Sequence, residues 1–181
     1  MTTLMNHPTL LVFVVLSFLG TILAFLGTIL AYIAPYFTRS FLVISENFNL
    51  GTFCGTLIHK NWGHYFGNII LLIPFWIYLD NKLGKSFILI IVLINMLFTG
   101  LYGIFAEREL CGLSGVIFML MGISCIIGSW LVFFFAGAMF VSEFGLIHQE
   151  DDDNTSHIAH IVFFIIGIAI GFGKILYPII M

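Results

Sequence analysis

Long apolar runs separated by short polar stretches organise this chain. The runs fall at 10–34, 63–79, 87–105, 114–128, 130–147 and 156–177. Each predicts a helix, since a continuous apolar stretch of roughly 17–25 residues is what an α-helix needs to cross a hydrocarbon core. Between the first two runs, residues 35–61 mix Arg39, Glu46, Asn47, Asn49 and Gly51 with aromatic and aliphatic side chains, a composition expected of a loop at the membrane interface. Asp80-Asn81-Lys82-Leu83-Gly84-Lys85 predicts a short polar turn, and Glu107-Arg108-Glu109 ends the third helix in water. The segment 148–156 carries Glu150, Asp151, Asp152 and Asp153 into Ser156. Ser156 suits an N-cap, and the preceding aspartates suit the positive end of the dipole of the sixth helix.

The fourth run differs from the others. From Ser114 to the Gly128-Ser129 break it offers ~15 residues, which at ~1.5 Å each reach only ~22 Å of a ~30 Å core. Such a helix begins partway down, with Cys111 to Leu113 descending to it from the surface. Non-helical backbone at that depth survives only against protein or a water-filled cavity, so Ser114 is expected to face a hydrated cavity.

Composition agrees with a membrane solvent. Of the 181 residues, 61% are hydrophobic and only 8% are charged, with a mean hydropathy of +1.15, whereas soluble domains carry about 25% charged residues. The expected fold is an all-α polytopic membrane protein, one domain over 1–181, located in the cell membrane as a multi-pass integral protein. The first run is too long for a cleavable signal peptide and lacks basic residues ahead of it. Cys54, Cys111 and Cys125 have no metal-ligand spacing and form no even set; they read as packing residues. A formal charge of −3 with no basic patch excludes a nucleic-acid partner.

Three motifs carry the chemistry. His59-Lys60-Asn61-Trp62-Gly63-His64-Tyr65-Phe66-Gly67-Asn68 has the form H-x-x-W-x-H-x-x-x-N, Gly112-Leu113-Ser114-Gly115 has the form G-x-S-G, and His157-Ile158-Ala159-His160 is followed by Gly167 and Gly171. In this order and separation they resemble the second, fourth and sixth transmembrane helices of rhomboid intramembrane serine proteases. The resemblance spans nearly the whole chain. It implies a six-transmembrane-helix rhomboid-like bundle with a short fourth helix starting inside the membrane, and it implies cytoplasmic termini, which the tie between Lys82, Lys85 and Lys174 inside and Arg39, Lys60 and Arg108 outside does not decide.

The same resemblance implies the roles. Ser114 is the nucleophile and His160 its base, His64 and Asn68 stabilise the oxyanion beside the Ser114 N–H, and Gly112, Gly115, Phe118 and Gly167 support them. Phe118 stands where the family usually has a tyrosine stacked on the catalytic imidazole. The segment around 150–153 becomes a mobile cap. The partners are transmembrane protein substrates in a lipid bilayer, with no cofactor and no metal.

The residues support these roles on their own terms. Serine needs a base to take its proton, and neutral histidine is the one matched to physiological pH. No carboxylate lies in the apolar helix near His160, which favours a Ser-His dyad over a triad. His64 and Asn68, at i and i+4, share one helix face, and acyl transfer requires such donors. Gly167 and Gly171 share the face of His160, where small residues let helices approach. His59 and His157 are expected to provide supporting hydrogen bonds.

Two departures from the family pattern stand out: Phe163 occupies a glycine position three residues after His160, where its ring is expected to widen the contact between the fourth and sixth helices, and the first loop lacks a Trp-Arg pair. Two rival functions remain: a redox protein whose His59, His64, His157 and His160 ligate haem or a metal, and a non-catalytic rhomboid-like protein that binds transmembrane segments.

Overall fold

A computed structural model describes residues 6–33, 55–59, 61–106, 110, 112–146 and 156–180. Among the described residues there are six α-helices and no strand: α1 (Pro8–Ile33), α2 (Trp62–Leu83), α3 (Lys85–Ala106), α4 (Ser114–Ile127), α5 (Trp130–Leu146) and α6 (His157–Ile180), with a 3₁₀ turn at Gly55–Leu57. The expectations for most of the interfacial loop, for Cys54 and Cys111, for 107–109 and for the 150–153 cap lie outside the described residues.

The helices answer to the apolar runs, with one correction. The polar turn expected at 80–85 is helical through Leu83, and the break is confined to Gly84, whose φ is 84°. The Gly84 N–H closes the last turn on the Asp80 carbonyl at 2.9 Å. Asp80 itself is buried, because its carboxylate is bonded to the His7 imidazole ahead of α1. A carboxylate paired in this way no longer requires water, so the helix continues through it.

Among the described residues, two helices are long and apolar enough to cross a membrane, over Lys85–Tyr102 and His157–Leu176, and shorter apolar stretches of helix cover Pro8–Gly20 in α1, Ser114–Ile127 and Trp130–Leu146. Large apolar side chains point outward, among them Ile70, Leu93, Trp130, Phe134 and Val141, as lipid-facing surface does. The described elements are all helical, and their apolar helices and outward apolar side chains are those of an integral membrane protein.

The chain forms two compact units, 1–114 and 115–181. In the first, α1 packs on α2 and on the 3₁₀ turn, and α2 packs on α3. Its core holds Leu10, Leu72, Trp76, Leu79, Ile88 and Ile91, all fully buried, and Phe13 meets Trp76 with ring centroids 5.5 Å apart.

In the second unit, every residue of α4 from 115 to 124 is buried, as expected of a helix that is apolar all round. Here α4 and α6 approach backbone to backbone. A methyl group added at Gly122 would lie 2.1 Å from the Phe164 carbonyl oxygen, and one added at Gly167 would lie 2.1 Å from that of Met119. Gly171 instead meets a side chain, its added methyl lying 2.9 Å from Ile126 Cβ. The expected widening at Phe163 is therefore absent: its ring is buried and the helices remain in contact just beyond it. Phe164, whose carbonyl meets Gly122, stacks its ring on Phe140 of α5 at 4.2 Å.

Candidate active site

The first unit builds a pinned loop ahead of Ser114. Gly112 has φ 96°, a backbone state open mainly to glycine. Its N–H donates to the Gly55 carbonyl at 3.0 Å. The next N–H, of Leu113, donates to His59 Nε2 at 3.2 Å. An Nε2 that accepts leaves the ring proton on Nδ1, which lies 3.3 Å from Ser17 Oγ; that hydroxyl donates on to the Leu57 carbonyl at 3.2 Å. Burial, aided by the neighbouring His64, lowers the His59 pKa from 6.5 to about 3, so the ring stays neutral and keeps its accepting nitrogen. The supporting bond expected of His59 is thus a bond to the backbone before Ser114.

Against the other side of Gly112 stand His64 and Asn68. Asn61 caps α2 by accepting from the His64 N–H at 2.8 Å, which fixes the first turn carrying His64, with Asn68 one turn further on. A methyl group at Gly112 would lie 2.8 Å from His64 Cε1, 3.1 Å from His64 Nε2 and 3.1 Å from Asn68 Nδ2. Asn68 is buried, and its Nδ2 has no hydrogen-bond partner among the described residues. Buried amide donors are rarely left this way, and this one lies beside the Gly112 loop. Ser114, which follows at the head of α4, is half-buried.

The second unit holds the imidazole. Phe118, one turn along α4 from Ser114, is buried and stacks on His160 with ring centroids 4.4 Å apart and planes 11° apart. The ring contact expected for Phe118 is present. Ser156 Oγ accepts from the Ala159 N–H at 3.4 Å, the N-cap that starts α6 and fixes the turn carrying His157 and His160. Gly115 is buried in α4, and Gly167 lies on the Met119 carbonyl.

One residue at this imidazole was missed from sequence. Glu143 of α5 is buried, and its Oε2 lies 2.8 Å from His160 Nδ1 and 2.7 Å from His157 Nδ1. The sixth helix carries no carboxylate near His160; the one that reaches it comes from the fifth. A signal was present, since Glu143 is the single charged residue in Trp130–Leu146, and an ionisable group inside an apolar helix marks function by default. The ligand atoms of Glu143, His157 and His160 lie within 4.8 Å of one another, so the cluster has the residue types of a metal site. Its carboxylate-to-nitrogen distances are those of charge-assisted hydrogen bonds.

The described elements and these two clusters are those of a helical membrane protein with a serine at the end of a pinned glycine loop and a carboxylate-bound imidazole. The Rhomboid domain model matches residues 50–177, and the chain belongs to the rhomboid family, whose members are generally serine proteases acting on transmembrane substrates in the bilayer. No curated protein matches it.

Proposed function

We propose that the chain is an intramembrane serine endopeptidase, a single six-span domain over 1–181, that cleaves substrate transmembrane segments with Ser114 as nucleophile and His160 as base. The observation that carries this reading is the buried, unpartnered Asn68 Nδ2 beside Gly112, two residues ahead of Ser114. Binding a helix does not by itself call for a donor at this position. A tetrahedral intermediate supplies its missing partner.

The chemistry follows from the groups present. Ser114 Oγ attacks the scissile carbonyl carbon as its proton passes to His160, and the carbonyl oxygen gains negative charge met by Asn68 Nδ2 and His64. The imidazolium returns the proton to the leaving amide nitrogen, the C–N bond breaks, and an ester remains on Ser114. Water then attacks the ester, giving its proton to His160, which hands it back to Ser114 Oγ as the acid leaves. The short α4, which begins inside the bilayer, supplies the wet, protein-lined depth at which a hydroxyl and a water molecule can meet.

The test is cleavage of a generic transmembrane substrate by detergent-purified protein, with a fluorophosphonate probe in parallel. Ser114→Ala is expected to abolish both cleavage and labelling with little change in melting temperature. Cleavage that survives in Ser114→Ala, or a wild type that binds substrate and never cuts it, rejects the reading.

A further inference from the structure

We infer that Glu143 is a positioning residue for catalysis, holding His160 in the tautomer and orientation a general base needs; this rests on the reading of Ser114 and His160 as nucleophile and base. A carboxylate only accepts hydrogen bonds. With Oε2 at 2.8 Å from Nδ1 of His160, the ring proton is therefore on Nδ1. Nε2 then carries the lone pair and is the nitrogen able to take the serine proton. The Phe118 ring, stacked at 4.4 Å, fixes the plane of the imidazole, and the Glu143 bond fixes its rotation within that plane. Neither contact does the other's task.

Glu143 also explains how a charge can form in this setting. When Nε2 takes the proton, the imidazolium is already bonded to an opposite charge that is itself buried. His157 Nδ1 donates to the same Oε2 at 2.7 Å, so the carboxylate keeps a second donor. A glutamate in an apolar helix would otherwise be costly. The proton cycle is unchanged by this arrangement: Glu143 accepts the Nδ1–H throughout, and no proton moves to it.

The experiment compares wild type, Glu143→Gln and Glu143→Asp in kcat and KM on a transmembrane substrate, and reads the His160 tautomer by ¹⁵N shifts in histidine-labelled protein. Glu143→Gln keeps the shape of the side chain but presents an amide. Its kcat is expected to fall roughly 10²–10⁴-fold, as expected when an orienting carboxylate is lost and the tautomer is no longer enforced, with KM within a few-fold of wild type. Glu143→Asp is expected to restore a substantial part of kcat. The wild-type ¹⁵N spectrum is expected to show His160 protonated on Nδ1, with that preference lost in Glu143→Gln.

A Glu143→Gln enzyme with wild-type kcat overturns the inference while leaving Ser114 and His160 as nucleophile and base. An Nε2-protonated His160 in the wild type overturns it whether or not the protein cleaves anything. Activity lost on chelation and restored by zinc also overturns it, by assigning Glu143, His157 and His160 to a metal.

Discussion

Phe118 lies flat on the imidazole of His160, with planes only 11° apart. The contact joins the helix headed by Ser114 to the ring assigned as its base, and it uses a face that carries no polar atom. The tyrosine usual at this family position adds only a hydroxyl at the ring edge. Phe118→Tyr is therefore expected to keep turnover within a few-fold of wild type if the hydroxyl finds a partner. Phe118→Ala removes the platform and leaves a cavity costing about 3–5 kcal/mol. Turnover and melting temperature measured together check this; an Ala variant that matches wild type in both refutes a positioning role for the ring.

In the proposed mechanism Asn68 Nδ2 donates to the oxyanion of the transition state. Losing one such donor costs roughly 10²–10³ in kcat. Asn68→Ala is therefore expected to lower kcat by that order with little loss of stability, since its Nδ2 makes no hydrogen bond among the described residues. Gly112→Ala, which sets a methyl against both His64 and Asn68 and strains a φ of 96°, is expected to harm both activity and stability. Equal rates for Asn68→Ala and wild type would show that Nδ2 faces away from the reacting carbonyl.

The His59 pKa gives a pH dependence with a definite sign. The folded value, about 3, lies below the ordinary 6.5, so the unfolded chain binds this proton more readily than the folded one. Stability from a neutral His59 is fully present above about pH 6.5 and is lost progressively as pH falls toward 3. Protonation would also place a hydrogen on Nε2, where the Leu113 N–H now donates. Melting temperature in detergent is expected to drop between pH 7 and 4, and less steeply in His59→Gln. Parallel slopes would remove His59 as the cause.

Phe163 sits in a family glycine position yet is buried beside an intact α4–α6 contact. Its ring fills space that a glycine would leave empty. Phe163→Gly is expected to lower stability by about 3 kcal/mol or more, from the cavity and from glycine in a helix, without raising turnover. A gain in kcat would show that the ring obstructs the native site.

The helices were legible because a membrane imposes its period and length on the sequence: an apolar run bounded by Glu107 or by Asp153 has few other structures open to it. His64 and Asn68 were legible as a pair because i, i+4 spacing fixes a common face within one helix. Glu143 was not, since its relation to His160 is made between helices, by the packing of α5 on α6. Asp80 escaped for the same reason: its partner, His7, lies 73 positions away, and without that partner a carboxylate at a helix end reads as a turn. Gly122 was passed over as one small residue in an apolar run, and its meaning appears only when the Phe164 carbonyl is found against it.

The approach at Gly122 and Gly167 is specified by what is missing. Most helix contacts are surfaces of side chains, and over generations such surfaces can trade volume from one partner to the other and keep their fit. Here the surfaces in contact are carbonyl oxygens and α-carbons, which no substitution can shrink or reshape. Neither position can compensate for a change in the other. Each glycine is thus frozen independently, and sequence drift around this crossing is expected to spare both while the apolar neighbours exchange freely.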